Sequence, residues 1–366
     1  MFICQKNRNI ANQFMAYNIL KLTMKKLKKI LLIVATLVLG CSSLQAQDVN
    51  FSQFYANPLY MNPAFAGAKV APRISLSYRL QWPKLVSAFS TISASYDQYI
   101  PALHGGIGAI VMADRQGDHG ALKSNMLGAM YSFRFQLADD FFMNLGVQAS
   151  ICNTNISWDE YLRFPDQIDP TGGFINNSSA IAPDNQSRWY PDFSAGLLAY
   201  GSQWYVGFAA SHLNQPDQGF YGESIVPMKF TANVGGLINV ASERRRTSSL
   251  GLGTPVISPN FIYQYQMGLD STNSSGAGFH TFNYGLYLDW NPFMVGIWYR
   301  QSVENSDALI FMAGVQFDYL RIGYSYDVTV SKLANHVGGS HEITLGFVLP
   351  TPDRRPKVKA IRCPSF

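Results

Sequence analysis

The chain has 366 residues, of which 14% are charged and 14% are aromatic, with 30 Gly and 20 Tyr. A soluble domain carries about 25% charged residues, so this composition favours an all-β barrel or sandwich over an ordinary soluble domain. Acidic side chains outnumber basic ones over residues 47–350, although the whole chain has a formal charge of +5, and this excludes a nucleic-acid-binding surface over most of the chain.

The first predicted element is a leader. Residues 24–46 begin with a lysine-rich stretch that is followed by the apolar run Ile30–Leu39, which is the pattern of a secretory signal peptide. The apolar run is only about half of the ~20 residues that a membrane-spanning helix needs. We expect translation to start at Met24, so that residues 1–23 are an upstream extension of doubtful translation.

Two sites compete for cleavage of this leader. The small residues that precede Gln47 predict cleavage by signal peptidase between Ala46 and Gln47. A loose lipobox that ends at Cys41 predicts lipoprotein processing instead. Both alternatives imply export from the cytoplasm.

Residues 47–70 form a lead-in segment that is rich in aromatic side chains and lacks strand alternation. It contains two Asn-Pro steps, which start turns because the residue before proline avoids the helical region. We expect the segment to be periplasmic, ordered and packed on or into the periplasmic mouth of a barrel. Docking of a partner is the alternative, and its candidate residues are Asn57, Pro58, Asn62 and Pro63.

Residues 71–350 alternate apolar with polar or small side chains, which is typical of strands with one apolar face. Nine strands are predicted, at Arg73–Leu80, Ala88–Tyr96, Gly106–Asp114, Leu122–Gln136, Phe141–Cys152, Phe193–Tyr200, Trp204–Leu213, Met228–Val240 and Pro259–Met267. Five more lie between Thr281 and Leu349, including a more uniformly apolar one between Ala308 and Phe317. An even count returns both ends to one side, and closure removes exposed strand edges. We therefore predict an all-β fold, a closed transmembrane β-barrel of about 14 antiparallel strands.

Short turns and long polar loops alternate along these strands, as they do in outer-membrane barrels. The longest loop is Asn153–Asp192, which is rich in Pro, Gly, Asn and Asp, and we expect it to be extracellular and to contact cargo or surface partners. Ala241–Ser258 is long for a periplasmic turn. A β-excursion at Ser249–Gly253 would change the strand count by two.

Residues 351–366 form a short basic tail beyond the last strand, which Pro350 ends. One interpretation is a periplasmic docking tail, and the other is a solvated end. The candidate partner-binding residues of the tail are Arg354, Arg355, Lys357, Lys359, Arg362 and Phe366.

No motif in the chain predicts catalysis, a cofactor or a metal site. The six His residues lack the HExxH spacing of a zinc site, and no Cys pair has CxxC spacing. Neighbours in Ser340-His341-Glu342 face opposite sides of a strand, so they cannot form a nucleophile relay by themselves. An enzyme acting on lipid would need a Ser and a His that converge from different strands.

Three segments resemble the PorP/SprF family of outer-membrane proteins, found in Bacteroidetes with the type IX secretion system and gliding machinery. They are FSQFYANPLYMNPAFAG at Phe51–Gly67, His212–Pro216, and GYSYDVTVSKLANHVGGSHEITLGF at Gly323–Phe347. The ending Arg362–Phe366 also resembles the family's terminus. The resemblance implies a non-enzymatic barrel in the cell outer membrane that supports secretion or surface attachment of adhesin-like cargo with type IX C-terminal domains. It also implies association with periplasmic components of that machinery.

Two other hypotheses about function remain. A passive porin or hydrophobic-solute channel would conduct in planar bilayers and would not need a periplasmic tail. The other is a barrel enzyme that acts on lipid. For the type IX secretion hypothesis, the expected partners are outer-membrane lipid, periplasmic type IX components and secreted cargo, with no nucleic acid.

Overall fold

The computed structural model describes residues 48–85, 88–117, 120–158, 162, 164–169, 173–174, 178–240, 255–269, 275–303, 306–330 and 337–350. The predicted signal peptide, its cleavage positions Ala46 and Gln47, and the basic tail 351–366 lie outside the described residues.

Fourteen antiparallel strands form the wall of the barrel. They are β1 Arg73–Gln81, β2 Phe89–Ile100, β3 Gly105–Gln116, β4 Leu122–Ala138, β5 Phe141–Ile156, β6 Ser187–Tyr200, β7 Trp204–Ser211, β8 Lys229–Gly236, β9 Val256–Leu269, β10 Ser275–Trp290, β11 Phe293–Ser302, β12 Ser306–Gln316, β13 Leu320–Thr329 and β14 Ser340–Val348. Among the described residues, three two-residue strands are not counted in this ring. Ile168–Asp169 pairs with Gly173–Phe174, and Ile238–Asn239 pairs with the beginning of β9.

The ring closes between the first and last strands. β1 pairs with β14 from Arg73 opposite Val348 to Gln81 opposite Ser340, and β8 pairs with β9. The prediction of a closed 14-stranded barrel is therefore confirmed. The β-excursion expected at Ser249–Gly253 lies outside the described residues, and the ring of described strands closes by the pairing of β8 with β9.

The wall is apolar outside and polar inside. In β1, Leu76 and Tyr78 are exposed on the outer face, whereas Ser75, Ser77 and Arg79 are buried on the inner face. Lipid can cover an apolar outer face, and this arrangement is the one that membrane barrels show. The same alternation continues around the ring, with exposed outer residues that include Ile92, Val111, Leu127, Val147, Phe208, Val234, Leu286, Ile297, Phe311, Ile322, Tyr324 and Ile343.

Strand β12 departs from this alternation because both of its faces are apolar. Ala308, Ile310 and Met312 are buried on the inner face, and Phe311 is exposed on the outer face. The inner residues belong to a buried apolar cluster that also contains Phe54 of the lead-in segment. The uniform apolarity predicted for this strand thus has two causes. Its outer face is toward lipid, and its inner face packs in the cluster that contains Phe54.

The two ends of the barrel differ in their connections. The turns between β2 and β3, β4 and β5, β6 and β7, β10 and β11, and β12 and β13 have two to four residues each, and we call their side the short-turn end. The opposite side is the long-loop end, which carries the loops 157–186 and 212–228. In outer-membrane barrels short turns are periplasmic and long loops are extracellular.

The described helices are short. They are one α-helical turn, α1 at Pro58–Met61, and 3₁₀ turns at Phe54–Ala56, Pro63–Phe65, Pro101–Leu103 and Pro165–Gln167. Within the described ranges, no helix has the length and apolar character needed to cross a membrane. Proline is the first residue of α1 and of the turn at Pro63–Phe65, as predicted from the two Asn-Pro steps.

The lead-in segment is ordered and lies inside the barrel along its length, rather than only on or in the periplasmic mouth as expected. Nearly every residue from Phe51 to Ala68 is buried. The segment touches strands on opposite sides of the ring, since Ser52 hydrogen-bonds to β14 and Asn62 to β6 and β7. Asp48 contacts residues at the long-loop end, and Gly67 contacts residues at the short-turn end. We call residues 48–68 the strap, because they run through the lumen along its length.

The register of β14 generates a stability prediction. Leu345 lies near the middle of β14, opposite Leu76 and Ile322 on the outer face. Leu345→Arg places a charge in lipid and should lower the free energy of unfolding by about 2–4 kcal/mol. Leu349→Arg, at the short-turn end, should cost only about 0–1 kcal/mol. Denaturant unfolding in lipid vesicles measures both, and equal costs would contradict this register.

Candidate functional site: the filled lumen

A carboxylate at the seam between the first and last strands holds the strap. The Glu342 side chain of β14 accepts hydrogen bonds from the backbone N–H of Ser52 at 2.7 Å and of Gln53 at 3.2 Å. The Gln53 side-chain amide donates to the Glu342 carbonyl at 2.8 Å. Among the described residues, no strand backbone accepts a hydrogen bond from these two N–H groups. Glu342 is therefore their acceptor, and without it they would be buried and unpaired.

Two arginines compensate the buried charge of this region. Arg79 of β1 donates to Glu342 at 3.2 Å and to Asp327 of β13 at 2.9 Å, and Arg300 of β11 donates to Asp327 at 2.8 Å. The Ser52 hydroxyl lies among them and donates to Asp327 at 2.6 Å. We call Arg79, Arg300, Asp327 and Glu342 the seam cluster.

All four members of the seam cluster are almost completely buried. Two cations face two anions, which is the condition under which charges are tolerated away from water. Loss of one member would leave an uncompensated buried charge, at a cost of about 3–5 kcal/mol. The cluster therefore joins four strands and the strap into one unit near the long-loop end.

A second charged cluster holds the beginning of the strap. The Asp48 carboxylate lies 3.0 Å from His212 Nε2 and 3.1 Å from Lys229 Nζ, and His212 Nδ1 lies 3.1 Å from Asp192. Lys229 also lies over the Tyr60 ring, at 5.2 Å from its centroid. We call Asp48, Asp192, His212 and Lys229 the entry cluster.

The entry cluster shifts the pKa of its members outside the strands. Burial alone would lower the pKa of His212, but the carboxylates of Asp48 and Asp192 outweigh it and raise the pKa to about 10. Burial would raise the pKa of Asp48, yet the charges of Lys229 and His212 hold it well below its usual range. His212 is thus an imidazolium at neutral pH, and it is bound to a carboxylate of the strap.

The middle of the strap fits against glycines of the wall. A Cβ built at Gly146 of β5 would overlap the backbone of Pro63 and Ala64, and one built at Gly106 of β3 would overlap the carbonyl of Ala66. Glycine is needed at such sites because another backbone approaches the strand closely. The Asn144 amide fixes the contact by donating to the Ala64 carbonyl at 3.0 Å.

The end of the strap is held at the short-turn end. The Gly67 N–H donates to Asp97 of β2 at 3.0 Å, and Arg134 of β4 donates to the Ala68 carbonyl at 3.2 Å. Asp97 is itself paired with Arg73 at 2.8 Å, at the first residue of β1. The strap is therefore held by charged side chains at both ends and by close packing between them.

Aromatic rings of the strap pack against the inner wall on the β10–β11 side. Phe54 packs on Trp298 with ring centroids 4.8 Å apart, and Tyr55 packs edge-on to Tyr287 at 5.7 Å. Edge-to-face pairs of this kind add to the gain from burying the rings. The aromatic residues of the lead-in segment thus cover the inner wall of their own barrel.

The sequence-predicted site residues fall into two groups. Asn57, Pro58, Asn62 and Pro63 are buried in the lumen, where the Asn57 amide donates to Ser77 Oγ and the Asn62 amide donates to carbonyls of β6 and β7. The residues Arg354, Arg355, Lys357, Lys359, Arg362 and Phe366 lie outside the described residues. Binding of a partner by either group stays a prediction.

Sequence reasoning missed both charged clusters. Inward positions of a strand are readable from the period-two pattern, and a charged residue at such a position is the signal that could have found the seam cluster. Among the described residues, no group of three His, Cys, Asp or Glu is placed to hold a metal ion. The two clusters bind a peptide segment of the same chain inside the barrel.

The sequence matches the family described as type IX secretion system membrane protein PorP/SprF over residues 43–347. The chain belongs to the PorP/SprF family. As a PorP/SprF protein with a closed, lipid-facing barrel, it is an integral protein of the outer membrane. A search of curated proteins found no match.

Several solved barrels are similar to this PorP/SprF chain in fold. The P. putida toluene transporter TodX is 10% identical, with 80% of this chain and 93% of that chain covered and a TM-score of 0.45. A Pseudomonas aeruginosa FadL homologue is 12% identical, with 78% and 92% covered and a TM-score of 0.41. The KdgM porin is 8% identical, with 76% and 99% covered and a TM-score of 0.33.

The close approach at Gly146 allows the seating of the strap in this PorP/SprF barrel to be tested. Gly146→Ala should push the strap away from β5, at a cost of about 1–3 kcal/mol for overpacking. The strap amides, such as that of Ala66, should then exchange with solvent about ten- to hundredfold faster. Hydrogen exchange followed by mass spectrometry measures this.

Gly346→Ala is the matched control, because a Cβ at Gly346 would meet only the Arg321 side chain at 3.7 Å and a carbonyl at 4.0 Å. Its strap amides should exchange at the wild-type rate. Both variants must show the heat-modifiable gel shift of a folded barrel. Equal exchange in the two variants would contradict the placement of the strap.

The entry cluster predicts a pH dependence with a definite sign. The pKa of His212 is raised from 6.5 to about 10, so its pairing with Asp48 stabilises the fold fully below pH 6.5 and is lost as the pH rises through about 10. NMR titration of the His212 ring in micelles should show this high midpoint. Asp48→Asn should move the midpoint toward 6.5, whereas Asp184→Asn, on a loop, should not. A wild-type midpoint near 6.5 would rule out the pairing.

Proposed function

We propose that this protein is a non-enzymatic barrel that supports type IX secretion by holding cargo at the cell surface. The cargo consists of adhesin-like proteins with type IX C-terminal domains, and in a gliding bacterium this attachment also serves motility. The barrel spans the outer membrane with its long-loop end outside and its short-turn end in the periplasm. Membership of the PorP/SprF family supports the role in secretion.

The observation that carries the proposal is the strap seated in the lumen. The strap occupies the barrel from Asp48 at the long-loop end to Gly67 at the short-turn end, and the inner residues of the wall bind it. A barrel whose interior is filled by its own chain offers its ends and loops for binding rather than an open path for solutes. A lumen occupied by the strap favours attachment over transport.

The periplasmic side of the proposal concerns the basic tail 351–366. β14 ends at the short-turn end, where the Leu349 N–H donates to the Pro72 carbonyl at 2.9 Å. A tail that leaves from this point enters the periplasm, where an acidic surface of the secretion machinery would attract it. Such an attraction weakens as salt increases.

The alternative function is a passive porin or hydrophobic-solute channel. The two proposals differ in one measurement, the conductance of the purified barrel in planar bilayers. A barrel with a seated strap should be silent, and Gly146→Ala should produce steps that Gly346→Ala does not. Large steady conductance of the wild-type protein would favour the porin.

A strain that lacks the gene tests the attachment role directly. Cargo with type IX C-terminal domains should be lost from its surface, and the wild-type gene should restore the cargo, as measured by surface proteomics. Normal surface cargo in the deletion strain would refute the proposal.

Tail variants in the same strain separate docking from a merely solvated end. Replacement of the five basic residues by Gln should reduce pull-down of periplasmic components and secretion, while Arg/Lys exchange, which keeps the charge, should not. The residues are Arg354, Arg355, Lys357, Lys359 and Arg362. Full partner recovery by the Gln variant would show that the tail only keeps the end solvated.

A further inference from the structure

The wall of the barrel is higher on one side of the long-loop end. β5 and β6 remain paired up to Asn155 opposite Ser187, whereas the last pair between β6 and β7 is Ala195 opposite Ala210. Two loops rise from this side, residues 157–186 between β5 and β6 and residues 212–228 between β7 and β8. Neither loop is needed to close the ring.

The two loops are tied to one another and to the raised strands. Arg188 of β6 pairs with Asp217 at 2.9 Å, and Tyr221 donates to the Ile181 carbonyl. Asp217 also accepts from the backbone N–H of Gly219 at 2.9 Å and of Ser224 at 2.8 Å, which fixes its own loop. A surface that is held together in this way loses little conformational freedom when a partner binds.

Apolar side chains project from the joined loops. Trp158 and Phe164 are half-buried, with tilted rings whose centroids are 4.8 Å apart, and Trp158 packs edge-on to Tyr221 at 5.7 Å. Tyr221 is 63% exposed and Ile181 is 83% exposed. We call Trp158, Phe164, Ile181 and Tyr221 the loop patch. An exposed apolar patch among polar residues is the mark of an interaction site.

The surroundings of the loop patch are acidic. Among the described side chains of loops 157–186 and 212–228 are four carboxylates, Asp166, Asp184, Asp217 and Glu223, and no Lys or Arg. Hydrogen bonds from the Ser179 backbone and hydroxyl hold the pKa of Asp166 below its usual range, and those from Ser224 and Gly219 do the same for Asp217. These carboxylates therefore stay ionised at neutral pH. Asp184 is exposed in the same loop as Ile181.

The polar surroundings argue against lipid as the occupant. Ser179, Asp184 and Asn185 are exposed beside Ile181 in the chain, so a bilayer cannot cover the apolar residue without burying a charge. A partner that matches the loop patch needs apolar side chains within a ring of Lys and Arg. A folded protein domain provides both in one rigid face.

We propose that the loop patch and its acidic rim are the surface on which the barrel holds secreted cargo, through a basic face with apolar side chains on the cargo's C-terminal domain. This inference rests on the proposed function and specifies where the barrel meets its cargo. The patch supplies the buried centre of the contact, and the rim supplies orientation and a faster encounter.

Photocrosslinking in living cells tests the location. A benzophenone amino acid at position 181 should crosslink to the C-terminal domain of a type IX cargo, identified by its peptides. The same amino acid at position 303 is the control, because Val303 is 65% exposed in a different loop of the same end. Crosslinks at position 181 to lipopolysaccharide, or equal cargo crosslinks at both positions, would overturn the proposal.

Substitutions in the complemented deletion strain test the energetics. Ile181→Asp should lower surface-retained cargo roughly tenfold or more, as loss of a central contact does, and Val303→Asp should not. Asp184→Lys should release cargo into the medium, and Asp184→Asn should have a smaller effect.

The outcomes separate this inference from the proposed function. If deletion of the gene removes surface cargo but Ile181→Asp does not, the barrel holds cargo elsewhere and the loop patch is not the site. If deletion leaves the cargo in place, the attachment role and this surface both fail. All variants must show the heat shift of a folded barrel in gels, so a loss of cargo cannot be attributed to misfolding.

Discussion

A ring of fourteen strands encloses more space than its own inward side chains can fill, and this constraint shapes the rest of the molecule. The strap fills the space, and the bonds from Ser52 and Gln53 to Glu342 fix it to the last strand. Without a seated peptide, the inward arginines and carboxylates would face water, and the inward Trp298 and Ile310 would face it too. The inner wall is therefore a surface complementary to a peptide rather than the lining of a pore.

Two charged clusters hold the first residues of the strap, and each uses charge differently. The seam cluster has two arginines and two carboxylates in a buried setting, where each group needs its partners because none can reach water. The entry cluster is partly accessible, and its imidazolium and ammonium both bind the Asp48 carboxylate of the strap. The first arrangement ties strands to one another, and the second fixes the strap at the edge of solvent.

The barrel was predictable from the sequence because lipid and lumen impose opposite demands on successive residues. Leu76 and Ser77, or Ile343 and Thr344, show this alternation directly, so the strands and their even number could be read locally. The strap was not predictable in this way, because Phe51 to Ala68 pair with residues far away in the chain and carry no local pattern. Its aromatic content indicated that the segment packs against another surface. Nothing in the sequence near Tyr55 indicates that its packing partner is Tyr287. β5 and β6 extend further toward the long-loop end than predicted. Their pairing continues to Asn155 opposite Ser187, beyond the residues that alternate between apolar and polar.

The strap enters the lumen from the end opposite to the start of β1, and this has a consequence for biogenesis. A closed ring cannot be threaded easily by a segment whose far end is held by a charged cluster, so the strap must be in place while the sheet is still open. Glu342 lies on the last strand to be made and binds the strap next to the seam. Closure of the ring and capture of the strap would then be a single event, and the finished cylinder would already contain the strap. A barrel with an empty lumen would then form only if the strap left the lumen after closure.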